Sequence, residues 1–163
     1  SKIKYVGKIK MKKILTSLLL MLVIFSPIEI CGLDSNTSES IYYKYLEDGS
    51  YYEITISENT MTRASSTKTA TKRAKYVNSS NVTVWEISVT GTFTYNGTSS
   101  TCTASSVAAK SYSTNWKITS QSASKSENKA IAKATAKYYY DGSLVTTASK
   151  TVTLTCDKNG NLS

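Results

Sequence analysis

From Trp85 to Tyr95 the chain alternates without a break: Trp85, Ile87, Val89, Gly91, Phe93 and Tyr95 take the odd positions, and Glu86, Ser88, Thr90, Thr92 and Thr94 the even ones. Successive side chains of a strand point to opposite faces, so this run specifies a strand with one buried and one wet face. It leads into Asn96-Gly97, a dipeptide suited to a type I′ hairpin turn, and the returning strand carries Cys102.

The same grammar recurs along the chain. In IYYKYLEDGSYYEITIS, β-formers flank Asp48-Gly49, placing strands near 41–46 and 51–57 about a second I′ turn. A two-stranded ribbon is marginal in water, so this one must pack on the rest, pair with a partner or stay partly disordered. Residues 58–81 are rich in Ser, Thr, Asn and Lys; the first part reads as a linker and 67–77 as an exposed strand. Further on, Tyr112, Trp116 and Ile118 share a face.

Two periods compete between 125 and 140. Lys125, Lys129, Lys133 and Lys137 recur every four residues, as on one helix face, and alanine favours helix. Against this, Ala130, Ala132, Ala134, Ala136, Tyr138 and Tyr140 alternate as a strand does. They run into Asp141-Gly142, a third hairpin signal, beyond which Val152, Leu154 and Cys156 share a face. Strand is the reading adopted, because a helix here would bury mostly alanine, a poor anchor at about 25 cal/mol per Å² of apolar area. Short strands, tight turns and a single proline make the chain all-β, with an antiparallel β-sandwich over residues 64–163. Ser and Thr fill 38 of the 104 positions from 60 onward, which suits outward faces bearing hydroxyls and leaves few large apolar residues for a core.

Upstream lies a different kind of segment. From Met11 the sequence MKKILTSLLLMLVIFSPIEICG has a basic start and an apolar run of 12 residues, Ile14–Phe25, before Pro27. A spanning helix needs about 20 apolar residues and an export signal about 7–15, so residues 1–32 read as a signal helix with its upstream sequence. SKIKYVGKIK, before Met11, is either sequence ahead of the start or an extended basic n-region. The competing readings are an uncleaved anchor, kept open by the lack of a small-x-small cleavage pattern at Ile28-Glu29-Ile30, and lipidation at Cys31, against which stand Ile30 and Glu29 where a small residue is normal. In an exported chain Cys102 and Cys156 form an even pair and are expected to be joined as a disulfide. The closed loop of 54 residues corresponds to about 4 kcal/mol of chain entropy.

The net charge of +9 overstates the body, since six lysines lie in the signal region. Residues 32–163 carry fourteen basic and ten acidic groups, net +4. Residues 32–63 carry −4 and residues 64–163 carry +8. An acidic linker and β-hairpin arm at 33–63 therefore precedes a basic domain at 64–163; the arm docks, or is a cleavable pro-part, or the charges of both parts are simply solvated surface. Lys72, Arg73, Lys75, Lys129, Lys133 and Lys137 are the candidate contacts to an anionic surface.

With no histidine, Ser-His-Asp and Cys-His nucleophiles, His-ligated zinc and a histidine pH switch are excluded. No phosphate-cradling glycine loop, calcium-loop pattern or metal-ligand cluster appears, and only Glu86, Glu127, Asp141 and Asp157 are acidic beyond residue 64. The sequence thus points to no enzyme, no cofactor, no metal and no nucleic-acid partner, with membrane contact limited to the signal segment. Twelve tyrosines, clustered at 42–45, 51–52 and 138–140, suit cross-strand packing and, where exposed, contact with sugars or partners.

Cys102, Trp116 and Cys156 follow the Cys…Trp…Cys order and so resemble immunoglobulin-like domains over about a third of the chain, although Leu154 stands where those domains place tyrosine. The resemblance implies an immunoglobulin-like sandwich. More broadly, a signal segment, a short arm, then Met61-Thr62-Arg63-Ala64-Ser65-Ser66 and a Thr/Ser/Lys-rich body with two cysteines looks like small secreted proteins of Gram-positive bacteria. That likeness covers residues 61–163 and implies an extracellular location. Two functions are expected from these features. One is a secreted or cell-surface binding module facing anionic wall polymers or envelope. The other is a cationic toxin or antimicrobial released by cleavage near Arg63.

Overall fold

The computed structural model describes residues 38–59 and 66–163; the segment read as an export signal, Cys31 and the expected cleavage point near Arg63 fall outside them. Every regular element among the described residues is a strand: β1 (Ser38–Tyr45), β2 (Tyr51–Asn59), β3 (Thr67–Val77), β4 (Thr83–Tyr95), β5 (Ser100–Ser111), β6 (Trp116–Ser126), β7 (Lys129–Tyr140) and β8 (Ser143–Thr155). The first five form one antiparallel sheet in sequential order, and the last three form a second. β4 packs on β7 and β8, and β5 on β7, an arrangement consistent with a β-sandwich. The strand reading of 130–140 holds; of the lysines spaced by four, Lys129, Lys133 and Lys137 lie on one face of β7 and Lys125 lies on β6, rather than all on a helix.

The odd positions of β4 build the core. Trp85, Ile87, Val89 and Phe93 are fully buried, facing an alanine row on β7 (Ala130, Ala132, Ala134, Ala136) and Leu154 of β8. Small side chains on one layer let large ones on the other interdigitate, which keeps packing dense with few bulky residues. Gly91 belongs to this fit, because a Cβ there would lie 2.6 Å from Phe93 Cζ and 2.7 Å from Ala130 Cβ.

The turns depart from expectation in two of three cases. A type I′ turn needs positive φ at both central residues, and only Asp141 (φ 47°) and Gly142 (φ 75°) supply it. At Asp48-Gly49 and Asn96-Gly97 the glycine alone is left-handed. The acidic or amide side chain instead holds the turn: Asp48 Oδ1 accepts the Ser50 N–H at 3.0 Å, and Asn96 Oδ1 accepts the N–H groups of Thr98 (3.0 Å) and Ser99 (2.9 Å).

The 41–57 ribbon packs on the rest, one of the three alternatives open to it: β2 pairs with β3 over its whole length and turns Tyr52, Ile54 and Ile56 into the core. The described residues belong to one unit. Two further expectations change. The immunoglobulin-like arrangement is absent: it requires strands that cross between sheets in Greek-key order, whereas tight turns here keep sequence neighbours as sheet neighbours. Cys102 and Cys156 are both buried and both free, so the expected disulfide is not formed. The β6–β7 turn comes between their backbones, with Glu127 O accepting the Cys102 N–H (2.7 Å) and Asn128 O the Cys156 N–H (3.1 Å). Each thiol donates locally instead, to Ala104 O at 3.2 Å and Asp157 O at 3.5 Å. Cohesion therefore rests on packing and strand pairing.

Candidate anion-binding face

The outward positions of β7 are Lys129, Ile131, Lys133, Thr135, Lys137 and Tyr139. At a rise of about 3.3 Å per residue, lysines four apart stand about 13 Å from one another along a straight line. Their cross-strand neighbours are hydroxyls on both sides: Ser126, Ser124, Ser122 and Ser120 on β6, and Thr155, Thr153, Thr151, Ser149 and Thr147 on β8. Thr135 and Ser149 are hydrogen-bonded to each other at 3.1 Å, and the Thr119 hydroxyl donates to Thr135 O at 3.3 Å. Lys117 lies opposite Lys137 and places its ammonium 5.7 Å from the Tyr139 ring centre. None of the three strands contains an Asp or Glu. The face is a cationic row between two hydroxyl rails, and only the turn residues Glu127 and Asp141 carry negative charge in this part of the chain.

The basic stretch 72–75 behaves differently. Arg73 and Lys75 point outward from the five-stranded sheet, Lys75 within a register row that alternates in sign, Glu53–Lys75–Glu86–Lys110, and Arg73 beside that row, opposite Thr55 and Ser88. Lys75 Nζ is 2.8 Å from Glu53 Oε1, and that hydrogen bond raises the Lys75 pKa. Arg73 Nε is 4.0 Å from Glu86 Oε1. Both cations are thus matched by carboxylates from neighbouring strands. Lys72 turns to the opposite, inward face, where its ammonium stands 5.7 Å from the Tyr42 ring centre. The six candidate residues therefore occupy three places: Lys129, Lys133 and Lys137 together, Arg73 and Lys75 in a neutralised row, and Lys72 apart. Sequence reasoning missed Lys117 and the rails. The alternating serines from 120 to 126 and hydroxyl residues from 147 to 155 were the available signal, since their period of two places them on one face.

The tyrosine clusters also divide. Tyr52, Tyr76, Trp116 and Tyr138 form a chain across the two sheets with ring centres 5.4–6.1 Å apart, and Trp85 packs 6.4 Å from Tyr52 and from Tyr76. Tyr43, Tyr45 and Tyr140 are exposed. Among the described residues, no group of three or more His, Cys, Asp or Glu side chains is placed to hold a metal. No protein-family model, curated protein or solved structure matches the chain.

Proposed function

We propose that this chain is an exported, non-enzymatic binding module that lays its three-stranded sheet against an anionic polymer of a cell wall or envelope. The observation that carries this reading is the row Lys129–Lys133–Lys137, flanked by hydroxyls and free of carboxylates. A sheet face suits an extended polymer, the lysines match repeated negative charges, and the hydroxyls donate hydrogen bonds to phosphate oxygens and exchange them with sugar hydroxyls. The exported location rests on the signal-like segment at 11–32.

The pro-part reading is less favoured, because cleavage near Arg63 would strip β1 and β2 from the sheet and remove Tyr52, Ile54 and Ile56 from the core. Retention on purified cell wall tests the proposal. Binding should fall steeply as NaCl is raised from about 50 mM to about 500 mM, because exposed charges are screened within a few ångströms at high salt. Lys129→Gln/Lys133→Gln/Lys137→Gln should abolish the salt-sensitive part, and the matching Arg variant should keep it. Retention that ignores both salt and the Gln substitutions overturns the reading.

A further inference from the structure

The two sheets are unequal, five strands against three, and β8 packs on β3 and β4. β1 and β2 therefore project past the smaller sheet and leave a lip between their inward face and the free edge of β8. A groove of about 350 Å³ runs along this lip. Its floor is Ile54 and Ala74, with Val152 on the β8 side, and Tyr42 forms part of the wall.

Three lysines from three strands converge on it: Lys44 of β1, Lys72 of β3 and Lys150 of β8. The Lys150 ammonium sits 3.7 Å from the Tyr52 ring centre, and Lys72 sits 5.7 Å from that of Tyr42. No Asp or Glu lines the groove. Lys68 and Lys75, by contrast, are matched by Glu58 and Glu53, each at 2.8 Å. Here aromatic rings face two of the three charges. Ring faces stabilise a cation weakly compared with a carboxylate, and three like charges in one cleft repel one another. Consistent with that repulsion, burial, followed by the charge of Lys44, lowers the Lys150 pKa.

We infer that this lip is a second binding site, separate from the lysine row on β7, that takes a phosphate or carboxylate head carried on an apolar stem. The lysines supply the charge for the head, at the rim where Lys44 remains exposed. The stem lies against Ile54, Ala74 and Val152, the aliphatic residues that line the groove. At about 350 Å³ the groove is at the small end of ligand pockets, large enough for a short-chain amphiphilic anion.

The site is tested by titrating the full chain with hexyl phosphate, hexanoate and inorganic phosphate while following backbone amide NMR shifts. Saturable shifts are expected at Tyr42–Lys44, Lys72, Lys150 and Val152. At least one hexyl anion should bind about tenfold or more tightly than inorganic phosphate, and the better of the two identifies the preferred head. Lys72→Gln/Lys150→Gln should weaken that binding about tenfold or more while leaving a cooperative unfolding transition, because removing repelling charges does not cost packing. Lys129→Gln/Lys133→Gln/Lys137→Gln should leave it unchanged, so this site and the wall-binding face fail or succeed separately. The inference is overturned by the absence of saturable shifts at the lip, by equal affinity for hexyl anions and inorganic phosphate, or by binding that survives Lys72→Gln/Lys150→Gln.

Discussion

Replacing Gly91 with alanine probes the packing that defines this fold. Gly91 lies on the inward side of β4, paired with Ala70 and Ser105, and its φ is not in the left-handed region. Backbone freedom is thus not what requires glycine there. An added Cβ would stand 2.6–2.7 Å from the Phe93 ring and 2.7 Å from Ala130 Cβ, about 1 Å inside normal carbon contact. Phe93 and Ala130 are fully buried, and Ala130 is fixed to another sheet, so neither has free space to enter. Overpacking of this kind costs about 1–3 kcal/mol. Loss of the glycine's unfolded-state entropy offsets about 0.4–1 kcal/mol. The net expectation is a destabilisation of about 1.5 kcal/mol, which at an m-value of about 1.5 kcal/mol/M moves the urea midpoint down by about 1 M. The transition can be followed by tryptophan fluorescence, with Phe93→Leu as the second arm of a double-mutant cycle. Leucine gives up the ring edge that the new methyl strikes, so the two changes together should cost less than their sum by about 1 kcal/mol. A Gly91→Ala midpoint equal to or above the parent's, or strict additivity, would refute the interdigitation of the sheets at this point.

Burial raises the Cys102 and Cys156 thiols above their ordinary 9.0, so both are easier to ionise unfolded than folded. Their contribution to stability is intact below about pH 9 and lost as pH rises through the folded values; Cys102→Ala/Cys156→Ala should therefore lose less stability than the parent between neutral pH and pH about 10, measured by urea unfolding. Parallel losses would show that the thiols are not buried in the native state. Removing the partner of Lys75 with Glu53→Gln should cost about 0.5 kcal/mol or less at low salt and nothing measurable in about 1 M NaCl, as for a part-exposed pair; a salt-independent loss would mean the row is more than a surface pairing. A chain beginning at Ala64 should show no cooperative thermal transition, since it lacks the inward residues of β2; a sharp transition from that fragment would return the pro-part reading to favour.

Much of the layering was legible because strand periodicity needs no knowledge of the partner strand. Alternation from 85 to 95 and from 130 to 140 identified the inward residues of β4 and β7: Trp85, Ile87, Val89, Phe93 and the alanines from 130 to 136 are buried as read, whereas past the register shift at Tyr138/Tyr139 the row ends in the exposed Tyr140. Turn chemistry was less legible. Asp-Gly and Asn-Gly announce a reversal, but whether the first residue takes positive φ depends on loop length and on what its side chain can cap, and Asp48 and Asn96 cap neighbouring N–H groups instead. The candidate site was legible in part for the same reason as the core. Lys129, Lys133 and Lys137 share parity, so one strand places them on one face, while Lys72 and Arg73 differ in parity and must separate.

The sequence by itself determined that the described chain is strands, which residues of each strand lie together, and that the lysine row of β7 and its flanking hydroxyls share a face, because all of these follow from the two-residue repeat of an extended backbone. Only the tertiary structure decided which strands became neighbours and what stood across from each charge. Pairing set Glu53 beside Lys75, put the β6–β7 turn between the two cysteines, and joined the acidic ribbon to the main sheet. It also brought Lys44, Lys72 and Lys150 to one lip from positions 28 and 78 residues apart in sequence. Local periodicity carries no information about such distances, since they arise when two sheets of unequal width close on a shared core.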